Sequence, residues 1–219
     1  MNLDFLRQQK ISESLINDVK HFRNKYQLTE EMRPRIPNPP IPFYGKEILE
    51  MSIAALLKGE NLLLSGGKAT GKNILAENLA CLFGRPSYNI SFHVNVDSAA
   101  LIGTDTFIDN EVRLRKGMVT LCAENGGFGV FDEINMAKND AVSVLHAALD
   151  YRGIIDIPGY DRIELHPAAR FIGTMNYGYA GTKELNEALV SRFMVINMPK
   201  QEEETVQLIL KTYFPDIKE

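Results

Sequence analysis

Four residues separate Gly66 from the pair Gly71-Lys72 in the run Gly66-Gly67-Lys68-Ala69-Thr70-Gly71-Lys72-Asn73-Ile74, a spacing suited to holding an anion. Glycines let the backbone bend until several N–H groups point at one centre. The positive end of a helix starting at Lys72, together with the lysine ammonium, then faces the outer phosphates of a nucleoside triphosphate. The position after the lysine is usually Ser or Thr, whose hydroxyl binds Mg²⁺. Here it is Asn73, whose carbonyl oxygen is a hard-cation ligand on a longer side chain that must fold back to reach the metal. The other reading of the segment is a glycine turn between a core strand and a core helix.

A second constellation is the apolar run Phe128-Gly129-Val130-Phe131 ending in Asp132-Glu133. Carboxylates at the edge of a core need a partner or a metal. Asp132 is suited to holding Mg²⁺ directly or through water, and Glu133 to orienting and deprotonating an attacking water. The pair can also cap a helix beginning near Lys138. Asn176, at the tip of a later strand, can touch a γ phosphate or the lytic water, or simply form a turn. Arg192 closes a helix, where a guanidinium interacts favourably with the helix dipole.

The elements that must position these groups follow from periodicity. Leu62 to Leu64 reads as a strand, and Ile74, Leu75 and Leu79 give the next segment a helical face. Tyr44 to Lys58 is an amphipathic helix with Ile48, Met51, Ile53, Ala55 and Leu56 inward and Gly59 as its stop. Tyr88 to Phe92 is a strand, Asn139 to Tyr151 a helix burying Val142, Leu145 and Leu149, and Ala169 to Met175 a strand. Leu185 to Leu189 then leads a helix to Ser191-Arg192-Phe193. Strands and helices in alternation give a parallel sheet whose ligands sit at the carboxyl ends of the strands. Residues 104 to 116, turning at Asp109-Asn110, and 153 to 166, turning at Pro158-Gly159, read as inserted hairpins. They are either surface decoration or working parts.

Ahead of this core, Leu15, Val19, Phe22 and Tyr26 form one stripe on a helix over 12 to 28 whose partner is the core or a neighbouring subunit. Pro34, Pro37, Pro39, Pro40 and Pro42 then exclude helix and predict an extended connector. The expected division is an N-terminal helix and connector over 1–43, an α/β core over 44–200 and the start of a helical lid over 201–219. The 219 residues carry a net charge of −4, with no global attraction for nucleic acid. Cys81 and Cys122 are expected as buried thiols of a reducing compartment. Neither a signal core nor a membrane-length apolar run occurs, so a cytoplasmic protein is expected.

Phosphate loop, Asp-Glu strand, strand-tip Asn and late Arg, in this order, resemble the AAA+ ATPases. Within them they resemble the MoxR group, with its dynein-like and midasin-like relatives. The segment from Gly173 through Met175-Asn176 and Leu185 to Arg192-Phe193 is similar to the CbbQ, NorQ and GvpN type. The resemblance implies a three-layer P-loop NTPase core with a parallel central sheet and both hairpin insertions. It also implies a helical lid, for which 201–219 leaves room for one helix, so that either the chain is a fragment of a longer protein or its C-terminal lid is truncated. It implies ATP and Mg²⁺ as ligands. Gly66, Gly67, Lys68, Ala69, Thr70, Gly71, Lys72, Asn73 and Ile74 become the nucleotide loop, Asn73 and Asp132 the metal ligands, and Glu133, Asn176 and Arg192 the catalytic set. Arg192 would be a finger that completes the site of the next subunit in a ring, by expectation a hexamer. The implied activity is chaperone-like remodelling of a client or von Willebrand A-type partner. Two alternatives remain: a nucleotide-binding scaffold with weak hydrolysis, and a GTP-dependent restriction-type motor subunit, for which Arg113, Arg115 and Lys116 are the only basic candidates.

Overall fold

A computed structural model describes residues 3–93, 96–137, 139–176 and 185–213. In chain order its elements are α1 (Asp4–Gln8), α2 (Glu13–Lys25), a 3-10 helix (Glu30–Arg35), α3 (Lys46–Lys58), β1 (Leu62–Gly66), α4 (Lys72–Phe83) and β2 (Ser87–Ser91). There follow α5 (Ser98–Ile102), β3 (Gly103–Ile108), β4 (Glu111–Lys116), α6 (Met118–Asn125), β5 (Phe128–Asp132), a 3-10 turn (Ile134–Met136) and α7 (Asn139–Ala148). The remainder is β6 (Ile154–Ile155), β7 (Ile163–Glu164), β8 (Arg170–Asn176), α8 (Glu187–Val190), β9 (Met194–Met198) and α9 (Glu203–Tyr213).

The expected three-layer α/β fold is present: a five-stranded sheet in the order β2-β5-β8-β1-β9, with every pair parallel. Its central strands are mainly apolar, as strands covered on both faces are, with polar residues gathered toward their ends. Leu62, Leu64, Phe128, Val130 and Ile172 join the apolar cluster that includes α3 and α4; Leu63, Phe131 and Phe171 join the one that includes α6 and α7. Register aligns the carboxyl tips, with Gly66 opposite Asn176 and Phe131 opposite Gly173. The three segments carrying the expected chemistry therefore end at one sheet edge.

Several local expectations are corrected. In α3 the buried face is Leu49, Ser52, Ile53 and Leu56, at helical spacing, whereas Met51 is exposed and Ile48 only partly covered. In α2 the buried stripe is Ile16, Val19 and Phe22, with Leu15 and Tyr26 at its margins, and it docks on the chain's own α3 and α4, where Phe22 meets Phe83 edge-on. Pro34 sits inside a 3-10 helix, because its fixed φ suits a tight helical turn in which few N–H groups are needed. β9 is an additional strand on the free edge of β1. The first hairpin turns as expected, with Asp109 and Asn110 both at positive φ. The second has only two-residue strands separated by a wide loop, and Tyr160 in that loop donates to Asp105 of the first, 2.7 Å away. The side chain of Val142, Lys138, and residues 177–184 of the Gly173–Phe193 motif lie outside the described residues.

One buried amide fastens the connector to the helix behind the glycine loop. Asn78 on α4 accepts from the Phe43 N–H at 3.0 Å and donates to the Ile41 carbonyl at 2.9 Å, which sets the Phe43 ring against Gly71. Asn78→Ala leaves both backbone groups buried without a partner. The expected cost is roughly 2–4 kcal/mol, read as a fall of ~5–15 °C in melting temperature; an unchanged melting curve contradicts this role.

Candidate active site

The turn from β1 to α4 is shaped by close approach and by left-handed backbone. A side chain at Gly66 would meet the Met198 carbonyl at 2.7 Å, so β9 demands glycine there. Gly71 has φ +84, and Ala69 reaches φ +60, a conformation rare for a residue with a side chain. Gly71 is the N-cap of α4 and no side chain caps that end, so first-turn N–H groups remain available to an anion.

Lys72 is buried and its ammonium donates to the Gly67 carbonyl at 2.6 Å, the Gly66 carbonyl at 3.1 Å and the Thr70 hydroxyl at 3.3 Å. Burial lowers its pKa from the ordinary lysine value, while Asp132 and Glu133 pull it back upward. The cation thus rests on loop carbonyls, neutral acceptors that a phosphate would replace with charged ones.

Opposite the loop, β5 ends in Asp132 and the chain turns through Glu133 at φ +54. The Thr174 hydroxyl donates to Asp132 Oδ1 at 2.7 Å and accepts from the Glu133 N–H at 3.2 Å. Asn176 Nδ2 donates to Glu133 Oε1 at 3.1 Å. A cavity of about 350 Å³ is lined by Lys68, Ala69, Thr70, Gly71, Lys72, Asn73 and Ile74 on one side and by Asp132, Glu133 and Asn176 on the other. Gly66 and Gly67 lie behind the loop as partners of Lys72.

Arg192 is elsewhere. It lines a cavity of about 780 Å³ with Asp150, His166 and Arg170, donates to the Ala188 carbonyl, and lies 3.6 Å from Asp150. Its Nε is buried and has no partner among the described residues.

Comparison with known families decides what this arrangement belongs to: residues 61–193 match the AAA domain, dynein-related subfamily. The chain is a member of that AAA subfamily. Among curated relatives, the Bacillus subtilis protein YojN is 37% identical over 169 residues, covering 74% of this chain and 55% of that protein. A Staphylococcus epidermidis protein is 31% identical over 170 residues, covering 75% of this chain and 65% of that protein. The chain thus spans a little over half to two thirds of the length of these relatives. A solved structure from Cytophaga hutchinsonii, described as a "putative ATPase", shares the fold at a TM-score of 0.63 and 21% identity, covering 91% of this chain and 58% of that one.

Two polar groups at the site, Thr174 inside this AAA domain and Gln201 beyond its matched residues, were not among the expected residues. Thr174 was legible in principle, since a strand residue two before Asn176 must share its face. Gln201, which donates to the Thr70 carbonyl at 3.0 Å, carries no sequence signal: it follows the core and is placed by tertiary packing. No helix among the described residues is long and apolar enough to cross a membrane.

Proposed function

We propose that the chain is an ATP-hydrolysing ring subunit that remodels a partner protein in the manner of the MoxR group. The observation supporting this most directly is that Lys72, Asp132, Glu133 and Asn176, from three separate segments, line one cavity beside an uncapped helix N-terminus. In this reading the loop from Gly66 to Ile74 holds the triphosphate, with Lys72 on its outer phosphates. Glu133, steadied by Asn176, takes the proton of the attacking water. Arg192 serves the site of the next copy, and the ring, by analogy a hexamer, works in the cytoplasm on a client or von Willebrand A-type protein.

The donor set fits Mg²⁺: Asp132 offers a carboxylate and Asn73, exposed at the same cavity, an amide carbonyl, both hard oxygen ligands. Held by Asp132 and Asn73, the metal would neutralise phosphate charge. The test is ATP turnover with and without Mg²⁺: turnover that EDTA abolishes is expected, and none at any protein concentration overturns the proposal.

Asn73 in place of a hydroxyl favours a second reading, a scaffold that binds nucleotide and hydrolyses it weakly. Asn73→Thr decides between the two. A gain in Mg²⁺-dependent turnover of about tenfold or more supports the scaffold, and no gain supports the hydrolase. Competition of ATP against GTP tests the restriction-type alternative.

A further inference from the structure

Thr174 is 1% exposed on β8, and strand alternation places it on the same face as Asn176. A hydroxyl has one proton to give and lone pairs to accept with, and Thr174 uses both on the tip of β5. The proton goes to Asp132 Oδ1, and the oxygen takes the Glu133 N–H. Glu133 meanwhile holds a left-handed backbone conformation, which a residue with a side chain keeps only when its surroundings impose it. From that turn its carboxylate reaches Asn176.

We infer that Thr174 is the positioning residue of both carboxylates, its single hydroxyl fixing the rotation of Asp132 and the backbone turn of Glu133. The inference rests, for its catalytic consequence, on the nucleotide-hydrolysis reading. One Asp132 oxygen is occupied by the hydroxyl, so the carboxylate is held with its other oxygen as the one left to a divalent cation. The backbone bond keeps Glu133 from relaxing out of its turn and drawing its carboxylate away from the cavity. A merely structural threonine would need only its β-branched shape, which valine reproduces.

The experiment compares the parent with Thr174→Val and Thr174→Ser in the full chain. Mn²⁺ affinity is read by electron paramagnetic resonance in the presence of ATPγS, alongside kcat and KM for ATP. Thr174→Val is expected to weaken Mn²⁺ binding about tenfold and lower kcat about 10- to 100-fold, with KM for ATP within about twofold, the size of losing a hydrogen bond to a charged group. Thr174→Ser, which keeps the hydroxyl, is expected to restore both. A valine variant with the parent's Mn²⁺ affinity and kcat overturns the inference. Should that variant fail to fold, amide exchange in the parent decides: a slowly exchanging Glu133 N–H is expected, and rapid exchange overturns the inference. A parent that binds Mn²⁺ with ATPγS but does not hydrolyse ATP overturns the hydrolase reading, while the affinity and exchange readouts still judge Thr174.

Discussion

Glu133→Gln is expected to bind ATP as the parent does and to turn it over about 10²- to 10⁴-fold more slowly, the range a positioned general base contributes. The substitution keeps the side chain's size and an oxygen that can still accept from Asn176 Nδ2, so the geometry of the β5 tip should survive. What is lost is the basicity needed to take a proton from water. Removing a negative charge from a cavity that receives a triphosphate can only leave affinity unchanged or raise it. Equilibrium binding of ATP and steady-state phosphate release, measured on the same preparation, separate the two effects. Turnover equal to the parent's ends the assignment of Glu133.

Arg192→Ala is expected to abolish the rise of turnover per subunit with protein concentration and to lower the plateau by ~10³-fold or more, as loss of an arginine finger does. The guanidinium lines a cavity other than the one between Lys72 and Glu133, so any service to a phosphate must be to another copy's. It is held beside Asp150, which Arg152 also contacts, and it keeps a buried Nε donor without a partner among the described residues. ATP affinity should be unaffected. A mixing experiment sharpens the test: Glu133→Gln chains carry an intact Arg192, and Arg192→Ala chains an intact Glu133. Two nearly inactive preparations should therefore regain turnover when combined. A mixture that stays inactive at every ratio, or a parent whose rate per subunit is flat with concentration, overturns a shared site.

The central sheet was legible because strands buried on both faces read as short apolar runs, and Leu62 to Leu64 and Phe128 to Phe131 are such runs. That the glycine loop and the Asp-Glu pair would meet at one cavity was legible because phosphate and metal binding call for particular residue types at fixed spacing. Burial of individual faces was less so. Met51 and Leu49 are equally apolar neighbours on α3, and only the packing of β1, β9 and α2 around that helix selects Leu49. β9 escaped because Met194 to Met198 is a short run with no alternation of apolar and polar residues, and pairing with β1, which leaves Met194 and Val195 exposed, is what makes it a strand. The left-handed turn at Glu133 is set by contacts with β8, and sequence periodicity carries no trace of it.

Gln201 ties the glycine loop to the helix that follows it in the chain. Its amide grips the Thr70 carbonyl two residues before Lys72, and α9 begins directly beyond it, with Thr212 near the far end touching Tyr44. A helix of 11 residues is a rigid rod of about 16 Å. The bond between Thr212 and Tyr44 fixes its distal end to the segment that leads into α3. One side chain and one helix therefore join the glycine loop to the entrance of α3, with Gln201 holding one end and Thr212 the other.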